Sequence, residues 1–131
     1  MKIFGIGTDI VNIKRIEKSL KRQGIKFKNK IFSKNEIIYC EMKNSSGAFY
    51  AKRFAAKEAL SKALGLGFRK NISYKNIEIF NDVYGRPFIR LSGATDNYLK
   101  KKIKYKKYNI YLSLSDDYPW AQATVIISYN K

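Results

Sequence analysis

The stretch FYAKRFAAKEALSKAL at residues 49–64 constrains this chain more than any other. Alanine, leucine, lysine and glutamate are strong helix formers, and glycines at 65 and 67 supply a stop, so the spacing predicts a helix over Phe49–Leu64. Its middle is rich in alanine, which lets another backbone, or a ligand, come close to the charged positions. Glu58 is the only acid in the segment and lies among Lys52, Arg53, Lys57 and Lys62. At helical spacing Phe54, Glu58, Ser61, Lys62 and Gly65 share one side, which carries an acid, a hydroxyl and an amine, with Arg53 and Lys57 flanking it. Two readings stay open at this point. Glu58 and Lys62 form a surface i,i+4 pair worth about 0.2–0.5 kcal/mol, or Glu58 holds a metal on a polyphosphate that Arg and Lys charges match.

Other elements follow from periodicity and turn chemistry. Lys2–Ile10 reads as a strand running into a helix over Asn12–Arg22, with the junction at Thr8-Asp9. Ser33 and Glu36 form a capping box for a short helix to about Met42. Strands are predicted at Ile77–Phe80 and Pro87–Leu91 around a turn at Asp82–Arg86, then a helix at about Ala94–Ile103. Two more strands, Asn109–Leu114 and Ala121–Tyr129, flank a polar loop, Ser115-Asp116-Asp117-Tyr118-Pro119. The order β-α-α-α-β-β-α-β-β, mostly antiparallel, points to an α+β fold. At 131 residues, without repeats or a Pro-rich linker, we expect a single domain over 1–131 with a long central helix.

Charge narrows the partners: 27 Lys+Arg against 10 Asp+Glu give +17, and an anionic partner matches that sign. Lysine of this kind is also what a compositionally biased genome writes into a solvated surface. Apolar runs of only a few residues exclude a spanning helix. Cys40 alone cannot form an internal disulfide, and MKIFGIGTDI has neither the apolar region nor the cleavage site of a signal peptide, so a cytoplasmic protein is expected. There is no histidine, which removes the usual neutral-pH base and metal ligand. Chemistry must run on carboxylates, Lys, Tyr, Ser or a bound metal.

Asp9 has two explanations. An acid at a strand-to-helix junction is a favoured N-cap, and it is also an oxygen ligand of the kind Mg2+ takes together with substrate phosphates. Gly85-Arg86-Pro87 is a tight turn that can also present an Arg to phosphate. Ser113, Ser115, Asp116 and Asp117 put polar groups at a strand end, where ligand contact and plain solvation are both common. No Walker A, GxGxxG or paired CxxC is present, which disfavours P-loop, Rossmann and zinc modules.

Together IGTDIVNIKRIE at 6–17, FYAKRFAAKEALSKALGLG at 49–67, GRP at 85–87 and YLSLSDD at 111–117 resemble the small holo-acyl-carrier-protein synthases, which are 4'-phosphopantetheinyl transferases. The resemblance spans nearly the whole chain. It implies that coenzyme A gives its phosphopantetheine arm to a serine of apo-acyl carrier protein, in fatty acid biosynthesis, releasing adenosine 3',5'-bisphosphate. It further implies that Asp9 and Glu58 hold Mg2+ on the coenzyme A pyrophosphate, and that Lys62 neutralises charge developing there. Arg53, Lys57, Ser61, Gly85, Arg86, Pro87 and Ser115 would help hold the nucleotide, and Glu58, directly or through a metal-bound water, would take the serine proton. A homotrimer with active sites between subunits is implied, with Arg15, Lys18 and Arg22 docking the acidic helix of the carrier protein.

One position departs from the pattern: family members commonly have Ser-His where this chain has Ser115-Asp116. We read Asp116 as a solvent-facing replacement rather than an added metal or water contact. The rival from another class is a single-stranded nucleic-acid-binding module, motivated by the charge, ten Tyr, eight Phe and the basic run Lys100–Lys107. That rival leaves Asp9 and Glu58 without a role. A related transferase acting on a carrier domain of a larger synthase is the second alternative.

Overall fold

The computed structural model describes residues 1–66 and 72–131, so the stop assigned to Gly67 lies outside the described residues. In order, the chain forms β1 (Lys2–Asn12), α1 (Ile13–Gln23), α2 (Ile25–Ile31), α3 (Lys34–Glu41) and α4 (Ser46–Ala63), then a 3-10 turn (Tyr74–Asn76), β2 (Ile77–Asn81), β3 (Pro87–Leu91), α5 (Gly93–Lys102), β4 (Tyr108–Asp117) and β5 (Trp120–Tyr129). Both sheets are antiparallel: three strands in the order β1-β5-β4, and the hairpin β2-β3. The α+β expectation with a central helix therefore holds.

The alternation of β5 explains the layering. Ala121, Ala123, Val125 and Ile127 are fully buried, while Gln122, Thr124 and Ile126 between them turn to the opposite face. The buried set packs on α4, whose Ala51, Ala55, Ala56, Ala59 and Leu60 join the same core. On β1 the close approach needs glycine. A Cβ built on Gly7 would sit 1.9 Å from the Ala59 carbonyl oxygen, and one on Gly5 would meet Ala63 in the same way. Glycine on the strand and alanine on the helix thus bring the two backbones together, and Asp9, two residues beyond Gly7, is carried to the same face of the sheet.

Several boundaries differ from the sequence-based expectation. β1 continues through Asn12, and it is Asn12, accepting from the Lys14 amide at 2.9 Å, that caps α1. Asp9 lies within the strand opposite Ala123, so the capping explanation for it is discarded. Helix α4 starts three residues before Phe49, at Ser46. β4 runs through Asp116 and Asp117, which pair with Ala121 and Trp120, leaving only Tyr118-Pro119 as the connection. Helix α2 was not anticipated. The Ser33–Glu36 capping box is present as expected, and Gly65, at φ 84, follows the end of α4.

Candidate active site

The exposed edge of α4 is written at i, i+4, i+8 as Phe54, Glu58 and Lys62. Beside its last turn, β1 delivers Asp9. The Lys62 ammonium donates to the Thr8 carbonyl at 3.0 Å and to Asp9 Oδ1 at 3.1 Å, tying β1 to the last turn of α4. One helical turn earlier, Glu58 Oε1 accepts a hydrogen bond from the Tyr74 hydroxyl at 2.8 Å. Burial first, then the hydrogen bond to Glu58 and its charge, then the charge of Asp9, push the Tyr74 hydroxyl well above its ordinary range. Two contacts, Lys62 with Asp9 and Tyr74 with Glu58, thus lie one helical turn apart along α4.

Such a donor set suits a hard cation. Among the described residues no group of three His, Cys, Asp or Glu converges, and two carboxylates are what Mg2+ takes when phosphate and water fill the remaining positions.

A second cluster lies toward the start of α4. Arg53 is 2% exposed, a rare state for a guanidinium unless it is paired. Its Nη2 donates to Asn81 Oδ1 at 2.6 Å and its Cζ lies 4.2 Å from the Tyr39 ring centroid, but Nε finds no acceptor among the described residues. It lines a cleft of about 150 Å³ with Lys52, Asn81, Gly85 and Pro87. Gly85 adopts φ 85 in the β2–β3 turn, and its carbonyl accepts from the Asn81 amide at 3.0 Å. An orphaned buried donor beside a polar cleft marks a place for an anionic or acceptor-rich ligand. Five residues of helix separate Arg53 from Glu58, about 7.5 Å along the axis.

Three residues expected to touch the nucleotide have partners within the chain. Lys57 is wholly buried and gives its three protons to Glu36 Oε1 at 2.8 Å, the Tyr74 carbonyl at 2.8 Å and the Ile77 carbonyl at 2.6 Å. Burial lowers its pKa against the attraction of Glu36, and no proton is left for a phosphate. Ser61 is buried and donates back to the Glu58 carbonyl at 2.7 Å, because a helical serine hydroxyl reaches the preceding turn. Ser115 bonds Gln122 on the sheet face that turns away from α4, while its neighbour Asp116 pairs with Lys52 at 3.0 Å. Arg86 is exposed at the turn, where its amide donates to Asp82 Oδ1. Arg15, Lys18 and Arg22 are all exposed on α1, well suited to a surface role.

Sequence reasoning missed Tyr74, Asn81, Glu36 and Lys52. Each acts through a contact between distant segments, and only the acid of the capping box, Glu36, left a local trace.

The family model described as the 4'-phosphopantetheinyl transferase superfamily matches residues 5–123. The chain belongs to that superfamily. It is 43% identical over 127 residues to the holo-[acyl-carrier-protein] synthase of Pelagibacter ubique, covering 97% of this chain and 98% of that one. The enzyme of the same name from Paramagnetospirillum magneticum is 49% identical over 129 residues, covering 95% of each. Among solved structures, the Neisseria meningitidis holo-[acyl-carrier-protein] synthase superposes with a TM-score of 0.86 at 36% identity, covering 96% of this chain and 98% of that one. The Helicobacter pylori enzyme in complex with coenzyme A gives 0.79 at 39% identity, covering 94% and 99%.

Proposed function

We infer that this chain is a phosphopantetheinyl transferase that moves the 4'-phosphopantetheine arm of coenzyme A to a serine of apo-acyl carrier protein. The observation that carries this reading is the pair of clusters along α4: Glu58 and Lys62 of the helix with Asp9 of β1 toward one end, and a buried, under-satisfied guanidinium in a cleft toward the other. A nucleotide pyrophosphate carrying a divalent cation would match that distribution of charge, the cation facing the carboxylates and the phosphates facing the ammonium and the guanidinium. Coenzyme A, a nucleotide of this kind, is bound in the Helicobacter pylori relative.

In the step itself, the serine oxygen of the carrier protein attacks the phosphorus bearing pantetheine. The bond from that phosphorus to the bridging oxygen breaks, and adenosine 3',5'-bisphosphate leaves with the electron pair. Arg53, Asn81 and the Gly85-Arg86-Pro87 turn hold the nucleotide, and Lys62 neutralises charge on the leaving phosphate. Asp9 and Glu58 would hold Mg2+, which when bound stabilises charge on the pyrophosphate. Glu58 takes the serine proton, since no histidine is available to do so. The carrier protein docks on Arg15, Lys18 and Arg22 of α1.

The working assembly is a homotrimer in a reducing cytoplasm. The outer face of the three-stranded sheet supports self-association, because Ile6 and Ile10 are 66% and 63% exposed there, beside Thr8 and Tyr111. Among the described residues no helix is long and apolar enough to cross a membrane.

The reaction is tested by following adenosine 3',5'-bisphosphate release chromatographically. Release that requires apo-acyl carrier protein, and that stops in Asp9→Asn and Glu58→Ala, is expected. Release without carrier protein, or undiminished in both variants, would overturn the reading.

A further inference from the structure

We propose that Tyr74 is a positioning residue that fixes the Glu58 carboxylate for cation binding, and that the buried Glu36–Lys57 pair fixes Tyr74 in turn. The proposal rests on the reading of Asp9 and Glu58 as metal ligands.

A glutamate on a helix surface has three rotatable torsions and pays conformational entropy for any single arrangement it adopts. The Tyr74 hydroxyl, donating at 2.8 Å to Oε1, selects one arrangement of Glu58 and leaves Oε2 for a cation. A partner that holds a ligating group in place before the ion arrives lowers the cost of binding, as outer-shell hydrogen bonds do in metal sites generally. The ring that carries the hydroxyl is itself restrained: it stacks on Phe54 with centroids 5.9 Å apart and planes 24° from parallel. Phe54 and Glu58 are i and i+4 on α4, so the ring covers one helical turn and its hydroxyl reaches the next.

The main chain at Tyr74 is anchored from below. Its carbonyl accepts from Lys57 Nζ at 2.8 Å, and the same ammonium binds the Ile77 carbonyl and Glu36 Oε1, closing the 3-10 turn Tyr74–Asn76 onto α4. Glu36 is held by the Ser33 amide at 2.8 Å and the Ile79 amide at 3.0 Å. Lys57 is the residue immediately before Glu58. A fully satisfied buried ion pair is a rigid but costly device, and here its rigidity is delivered through one tyrosine to one carboxylate. This assigns Lys57 to positioning and explains why a lysine in the most conspicuous basic motif of the chain is wholly buried.

Tyr74→Phe removes one oxygen and keeps the ring that stacks on Phe54. Tyr108→Phe is a matched control, because the Tyr108 hydroxyl donates at 2.8 Å to Asp96, another half-buried tyrosine on a carboxylate outside the site. The probe is Mn2+, titrated by electron paramagnetic resonance with coenzyme A present, alongside turnover at graded Mg2+. In Tyr74→Phe the Mn2+ dissociation constant rises about tenfold, and half-maximal turnover needs correspondingly more Mg2+. Saturating Mg2+ restores most of kcat, and KM for the carrier protein is unchanged. Phe54→Leu, which loosens the ring without touching the hydroxyl, gives a smaller loss in the same direction. Tyr108→Phe stays within about twofold of wild type on both readouts, the ordinary result away from a metal site. Mn2+ affinity in Tyr74→Phe within twofold of wild type, or an equal loss in Tyr108→Phe, would overturn the role. Wild-type transfer undiminished in excess chelator would instead remove the metal reading itself, and Tyr74's role with it.

Discussion

At the scale of single residues, burial decides what each charge on α4 does. Arg53, Lys57 and Lys62 look equivalent in the sequence, yet they are 2%, 0% and mostly exposed, and their partners differ accordingly. Lys57→Met strands the Glu36 carboxylate in the core and should cost about 3–5 kcal/mol of stability. In urea denaturation, the Lys57→Met/Glu36→Gln double variant should lose less than the sum of the single losses, and additive losses would contradict the coupling. Arg53→Ala should lower kcat/KM for coenzyme A by the equivalent of about 2–5 kcal/mol of lost stabilisation, mainly through KM, with Arg53→Lys a poor rescue because a point charge cannot reproduce the guanidinium fork. Steady-state kinetics on variants with wild-type melting temperatures reads that difference. Asp116 is half-engaged with Lys52, so Asp116→Ala should cost far less activity than Glu58→Ala, and equal losses would give Asp116 a place in the chemistry.

At the scale of elements, most of the fold was legible because propensity and pattern agreed. The alanine-rich helix, the Ser33–Glu36 box and the alternation of β5 each carry their own signal. Helix α2 was not legible, since Ile25, Phe27 and Ile31 mix a spacing of two with a spacing of four and match neither period. The acids at the end of β4 suggest a loop, but strand pairing is a backbone property and Asp116 and Asp117 pair normally. For the site, Asp9, Glu58 and Lys62 could be singled out from one strand and one helix. Tyr74–Glu58, Arg53–Asn81 and Lys57–Glu36 join segments 16, 28 and 21 residues apart, and local sequence carries no record of such contacts. The β1–α4 contact gives a direct test: Gly7→Ala places a methyl against the Ala59 carbonyl and should abolish or severely reduce folding, whereas a wild-type melting curve would contradict the packing. Three helices also meet at Glu41, which pairs with Lys28 at 2.8 Å and accepts from the Tyr50 hydroxyl. The Lys28 and Tyr50 hydrogen bonds hold its pKa below the ordinary 4.5. A depressed carboxylate contributes stability above its unfolded value and loses it as pH falls through the folded one. Glu41→Gln should therefore flatten the loss of stability on acidification below 4.5, as measured by denaturation at graded pH.

At the scale of the whole molecule, the proposed docking of an acidic carrier protein gives the +17 charge a role in encounter rather than in chemistry. Charge reversal at Arg15 or Lys18 should lower kcat/KM for the carrier protein and flatten its dependence on salt, leaving kcat at saturating partner unchanged. Self-association through the Ile6 and Ile10 face should appear as a trimer in sedimentation equilibrium and be lost in Ile6→Lys/Ile10→Lys. The proposed reaction is transfer of a phosphopantetheine arm served by Asp9 on β1 and by Glu58 and the buried Arg53 on α4. It is tested most directly by intact-mass analysis of apo-acyl carrier protein incubated with coenzyme A, Mg2+ and this protein, beside a Glu58→Ala control. The carrier protein should gain one phosphopantetheine arm with the wild type and none with the variant. A carrier protein left unmodified by the wild type, or modified equally by Glu58→Ala, would contradict it.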